Sequence, residues 1–169
     1  MERGLILKKG TIVDSTIISA PSSTKNKEKK RDPDAHQVKK GNAWHFGYKA
    51  HIGVDRDSGL VHTVEATAAN VHDATETSKL LTGDEDEVYG DSGYLGAEKR
   101  GDAIIRNKAG RKIKYRINRR PSQVKKLSKS GQYAAKKAEH AKSSVRAKVE
   151  HVFGVVKKPV SYTHLRAHE

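Results

Sequence analysis

Residues 44–54 read Trp-His-Phe-Gly-Tyr-Lys-Ala-His-Ile-Gly-Val. Trp44, Phe46, Tyr48, Ala50, Ile52 and Val54 share one parity, and His45, Lys49 and His51 share the other. A period of two belongs to a strand with one buried face. Asp55-Arg56-Asp57-Ser58-Gly59 reads as a turn, and Leu60 to Thr67 as the returning strand. A hairpin this long needs a sheet to join and a layer to cover it.

Gly10 to Ile18 is rich in β-branched residues and reads as another strand. Residues 21–43 are polar, broken by Pro21, Pro33 and Gly41, and read as a loop or mobile arm. Asn70-Val71-His72-Asp73 is placed to cap a short helix through Leu81. Val88-Tyr89-Gly90 reads as a short strand ending at Asp91, before a turn marked by Gly93 and Gly96. Ala103 to Arg106 is a further candidate strand, and residues 107–130 read as a basic, partly mobile loop. From about Gln132 to Lys157 the pattern is helical, with Val145, Val149, Val152 and Val156 on one stripe. Arg146, Glu150 and Lys157 lie on an adjoining face. Strands first and a long helix last indicate a mixed α/β domain.

Leu, Ile, Val and Phe number 33 of 169 residues, and the net charge is +14. That composition borders on disorder, so a small core with long polar stretches is expected. With no cysteine, a disulfide scaffold and a Cys-ligated zinc site are excluded. No apolar run approaches the ~20 residues of a membrane span, and the apolar start is too short for a signal peptide. A soluble cytoplasmic protein with no membrane partner is expected.

The charge is unevenly placed. Residues 1–98 carry 13 Lys/Arg against 16 Asp/Glu, whereas residues 99–158 carry 20 against 3. A basic half of that strength points to a polyanion, with nucleic acid favoured over a solvated surface or an anionic membrane.

Three acids stand out by context: Asp14 on the first strand, Asp91 at a strand end, and Glu150 on the late helix. Acids from separate elements can converge to hold divalent ions through oxygen ligands. Two such ions ~4 Å apart serve phosphoryl transfer. Each acid also has a structural reading. Asp14 could bond turn amides, Asp91 could cap the Ser92-Gly93-Tyr94 turn, and Glu150 could pair with Arg146.

Longer strings add to this. They are Thr-Ile-Val-Asp-Ser-Thr-Ile-Ile-Ser-Ala-Pro-Ser-Ser-Thr-Lys-Asn at 11–26 and Lys-Lys-Gly-Asn-Ala-Trp-His-Phe-Gly-Tyr-Lys-Ala-His-Ile-Gly-Val-Asp at 39–55. Ala-Asn-Val-His-Asp at 69–73, Gly-Asp-Ser-Gly-Tyr at 90–94 and Arg146-x3-Glu150-x6-Lys157 follow in order. Over about residues 5–158 the chain resembles the DDE transposases of the insertion-sequence-five type. The resemblance implies a ribonuclease-H-like α/β fold, with a mixed sheet and flanking helices, here incomplete. It implies Asp14, Asp91 and Glu150 as catalytic metal ligands, with magnesium as the ion and manganese as a substitute. It also implies DNA as partner, both element ends and target, and a homodimer of the full-length protein. Phosphate contacts are then expected from Arg146, Lys157, Lys148, Arg119 and Arg120.

Two departures accompany the resemblance. Ser143 stands where the family signature has a tyrosine, three residues before Arg146. Only thirteen residues precede Asp14, and residues 159–169 look unrelated to the family. The chain therefore reads as a catalytic domain over 1–158 with a foreign tail, weak or inactive alone.

Other residues have plainer readings. His45 and His51 share a strand face but stand too far apart to chelate one ion, and are expected to be exposed or hydrogen-bonded. Trp44 is expected to pack rather than stack on bases. Two further functions remain open. One is a non-catalytic basic nucleic-acid-binding protein, which has no need of the three acids. The other is a nonspecific nuclease of the same fold, which would give no strand-transfer product.

Overall fold

The computed structural model describes residues 5–7, 9–25 and 27–166, with side chains placed up to Val156. Its strands are β1 (Gly10–Ser19), β2 (His36–Lys40), β3 (Ala43–Asp55), β4 (Val61–Ala68), β5 (Glu87–Gly90) and β6 (Lys114–Ile117). The α-helices are α1 (Pro121–Lys125) and α2 (Lys129–Arg166). Short 3₁₀ turns lie at Asp73–Thr75, Thr77–Leu80, Ser92–Tyr94 and Ala97–Lys99.

The six strands form one sheet in the order β2-β3-β1-β5-β6, with β4 also paired to β3. β1, β2 and β4 each run antiparallel to β3, while β5 lies parallel to β1 and β6 parallel to β5. This mixed α/β arrangement is consistent with a ribonuclease-H-like fold.

Strand parity splits the core in two. On one face Ile12, Ile52 and Val54 meet Val149 and Phe153 of α2, with Tyr89, Val145 and Val152 around them. On the other face Val13, Val88, Tyr94, Ile113 and Ile117 meet Leu80 and Leu81. Neighbours Ile12 and Val13 thus serve opposite layers, as alternation along a strand requires. Both faces of β1 are covered, which explains its nearly continuous apolar run.

Several expectations shift. The helix begins at Lys129 and extends to Arg166, and Phe153 shares its buried stripe, whereas Val156 is exposed. β2 falls within the stretch read as a loop. All its side chains but the half-buried Val38 are polar and outward, and pairing with β3 across the Gly41 turn makes it a strand. β6 likewise lies within the basic stretch read as a loop, while Ala103 to Arg106 contributes only an isolated bridge from Arg106 to Lys112. Lys114, Tyr115, Arg116 and Ile117 do alternate, but on a run so basic that the period is hard to see. The region after Asn70 forms two 3₁₀ turns, the first capped by His72, whose Nδ1 accepts from Ala74 N at 3.2 Å. Trp44 is 66% exposed, because it sits on the part of β3 that neither core cluster reaches. Among the described residues, no helix is long and apolar enough to cross a membrane.

Candidate active site

β1 and β5 run side by side, with Ile12 opposite Tyr89. Two residues further along each strand's path stand Asp14, still on β1, and Asp91, just past the end of β5, near enough for the charge of Asp91 to act on Asp14. The parallel register therefore brings together two acids 77 positions apart in sequence.

Each carboxylate has one oxygen held by a nearby backbone donor. Asp14 Oδ1 accepts from Ser15 N at 2.8 Å, and Asp91 Oδ1 accepts from Gly93 N at 2.8 Å as it caps the Ser92–Tyr94 turn. Burial pushes the Asp14 carboxyl up from its ordinary value, and the negative charge of Asp91 pushes the same way. The Ser15 amide and the Arg146 guanidinium pull it partly back.

Arg146 projects from α2 between two acceptors. Its Nη2 donates to Asp14 Oδ2 at 3.3 Å and its Nη1 to Asn118 Oδ1 at 3.2 Å. Its Nε is buried without a hydrogen-bond partner among the described residues. Asn118 is itself fixed, since its Nδ2 donates to Glu139 Oε2 at 2.8 Å. Lys142 Nζ and Arg119 N also donate to Glu139, at 2.8 and 2.9 Å. This chain of bonds runs from the middle of α2, through the end of β6, to Asp14.

Glu150 follows Arg146 by one turn of α2. It is exposed, and it makes no hydrogen bond or ion pair among the described residues. Among the described residues no three His, Asp or Glu side chains converge closely enough to hold one ion. The structure brings together Asp14, Asp91 and Arg146 and leaves Glu150 exposed on α2, outside that group. The donor set near Asp14 and Asp91 is carboxylate oxygen, which suits a hard divalent cation such as magnesium. Gly93 leaves room for the Asp91 carboxylate to which its amide donates. A Cβ there would lie 2.9 Å from Asp91 Oδ1 and 3.5 Å from Asp73 Oδ2.

The other expected DNA contacts fare differently. Arg119 and Arg120 present exposed side chains at the start of α1. Lys148 is engaged, its Nζ donating to the carbonyls of Arg56 and Asp57 at 2.7 and 2.9 Å, so that it fastens α2 to the β3–β4 turn. Lys157 lies outside the described side chains.

Sequence reasoning did not single out Asp73 as a site residue. Its carboxylate accepts from Ser15 Oγ at 2.8 Å and from Lys49 Nζ at 3.0 Å. His51 is fully buried beside it, with Nδ1 3.7 Å from Asp73 Oδ1. Burial pushes the His51 pKa down, more than Asp73 pulls it up, so the ring is neutral at neutral pH. His51 Nε2 lies 2.9 Å from Thr67 Oγ1, whose own hydrogen goes to the Ala68 carbonyl. That places the ring hydrogen on Nε2 and leaves Nδ1 without a hydrogen bond. Tyr94 is also fully buried, and its hydroxyl approaches Ser15 but completes no hydrogen bond among the described residues. Burial, then the charges of Asp73, Asp14 and Asp91, drive its pKa far upward. The signal for Asp73 was the Asn-Val-His-Asp string, in which the aspartate reads locally as a cap.

No solved structure matches the chain. The sequence profile of one family, described as Transposase DDE domain, matches residues 6–169. Two acids paired on adjacent strands, a mixed sheet backed by a long helix and a match over nearly the whole length lead to one assignment: this chain belongs to the transposase DDE domain family.

Proposed function

We propose that the chain is the catalytic domain of a DNA transposase of the insertion-sequence-five type. In this reading it cuts a DNA strand at an element end and joins the freed 3′-hydroxyl to target DNA. The observation that carries the proposal is the pairing of Asp14 and Asp91 at the end of β5. Asp14 and Asp91 would hold magnesium, or manganese in its place, with Glu150 completing the set from α2. The bound cation would neutralise charge developing on the phosphoryl oxygens. The protein's task is to position the two strands and exclude competing geometries. Arg119 and Arg120 would hold phosphates, Arg146 would steady Asp14 and face the backbone beside it, and Lys157 would extend the contact along α2, which Lys148 braces against the β3–β4 turn. The partners are then element ends and target DNA, the assembly a homodimer, and the compartment the cytoplasm.

A labelled element-end duplex and a target plasmid, incubated with magnesium or manganese, test this reading. Cleavage that disappears in Asp91→Ala is the expected result. Cleavage with no joined product would favour the nonspecific nuclease. Duplex binding without metal-dependent cleavage, unchanged in Asp91→Ala, would favour the non-catalytic binder.

A further inference from the structure

Asp73 opens the 3₁₀ turn at Asp73–Thr75. Consecutive strand residues point to opposite faces. Asp14 meets Arg146 of α2, so Ser15 faces the other way, where its Oγ donates to Asp73 Oδ1 at 2.8 Å. Asp73 therefore reaches β1 on the side opposite Arg146.

One of its oxygens bonds Ser15 and the other lies beside Gly93. Oδ1 takes the Ser15 hydroxyl, and Ser15 N orients Asp14. Oδ2 lies 3.5 Å from the Cβ position of Gly93, and Gly93 N orients Asp91. Lys49 secures the arrangement from β3, donating to Asp73 Oδ1 at 3.0 Å and to the Val71 carbonyl at 2.7 Å. Two fully buried polar side chains, His51 and Tyr94, border the same cluster with atoms that lack a hydrogen bond among the described residues. A carboxylate placed only to neutralise Lys49 would need neither Ser15 nor closeness to Gly93.

We infer that Asp73 is a positioning residue, a single carboxylate that holds the Ser15 side chain and lies beside Gly93, the two residues whose backbone amides aim Asp14 and Asp91. The inference rests on the reading of those two acids as the cation-binding pair. Carboxylates that ligate metals are themselves oriented by hydrogen bonds, and loss of such support costs 10- to 100-fold in affinity as an order of magnitude. Asp73 acts one step further back, so the lower end of that range applies.

The experiment is a manganese titration of the 169-residue chain, with free Mn²⁺ followed by its paramagnetic resonance signal. Asp91→Ala should abolish the tight binding, and Asp73→Ala should weaken it about tenfold. Asp73→Asn keeps an acceptor oxygen for Ser15 in a side chain of the same shape, and should recover most of the loss. Ser15→Ala should weaken binding alone but add little on top of Asp73→Ala, because the two act through one bond. Wild-type affinity in Asp73→Ala, with Asp91→Ala inactive in binding, would overturn the inference and leave the paired-acid reading standing. So would an Asp73→Asn variant as weak as Asp73→Ala. Binding absent from the wild type, or indifferent to Asp91→Ala, would overturn both.

Discussion

Replacing Gly93 by alanine adds one methyl group at the point where Asp91 is held. The backbone tolerates it, since Gly93 is not among the glycines with positive φ. At a compatible position the exchange stabilises by about 0.4–1 kcal/mol, through the unfolded chain. The new Cβ, however, falls 2.9 Å from Asp91 Oδ1. The carboxylate must retreat by a few tenths of an ångström and strain its bond to Gly93 N. Disturbing the orientation of a ligating carboxylate costs about tenfold in affinity. At a metal concentration ~100 times the wild-type Kd, binding adds about 2.7 kcal/mol of stability, and a tenfold loss of affinity leaves about 1.4. For a domain of this size 1 kcal/mol moves the melting midpoint by about 2–4 °C. The rise in midpoint on adding manganese should therefore be about 3–5 °C smaller in Gly93→Ala, while the metal-free midpoint stays put or increases slightly. Paired thermal melts with and without manganese measure both quantities. An equal manganese-induced rise in the two proteins would refute the reasoning, as would a large fall in the metal-free midpoint.

Three further outcomes are expected. Glu139→Gln should destabilise by about 1–2 kcal/mol at neutral pH. Burial alone would raise the Glu139 pKa, but the bonds from Lys142, Arg119 and Asn118 outweigh it and leave it depressed. Its contribution is thus present above the unfolded value and fades as pH falls through the folded one, so denaturant melts of the two proteins should converge in acid. Gly47→Ala should cost about 3 kcal/mol or more, because φ is +150° and the added Cβ would stand 2.1 Å from the Ile18 carbonyl oxygen. Urea titration reads this directly, and a loss below ~1 kcal/mol would mean β1 and β3 can part there cheaply. Removing both Arg119 and Arg120 should reduce the salt slope of duplex binding by about 1.8, or about 0.9 for each phosphate that is no longer neutralised. An unchanged slope would take these two side chains off the DNA path.

What the sequence showed and what it hid follows from the range of the forces involved. β1, β3 and α2 were legible because each buries an apolar face against a covering layer, and burial imposes a period, whereas β4, with Val61 and Val64 exposed, was legible as the strand returning from the Asp55–Gly59 turn. β2 and β6 were not, because one is stabilised by hairpin pairing and the other hides its alternation among arginines and lysines. Asp14 and Asp91 were legible from β-branched and glycine-rich surroundings. Their adjacency came only from the β1–β5 register, which no local pattern encodes. Glu150 was placed on α2 as expected, yet the face it occupies is exposed. Asp73 stayed hidden because its partners, Ser15 and Lys49, come from β1 and β3, far away in sequence.

The position of Trp44 decides how this protein can be watched. It is the chain's single tryptophan, and it is largely bathed in solvent on a stretch of β3 outside both core clusters. Its emission in the native state should already resemble that of the unfolded chain, so a fluorescence melt would pass over the loss of the core almost silently. Far-ultraviolet dichroism of α2 is the signal that tracks folding here. The same exposure makes Trp44 a reporter of whatever settles on the β2–β3 hairpin. Quenching on addition of duplex DNA, with no change in dichroism, would map contact at that edge of the sheet without the need for a label.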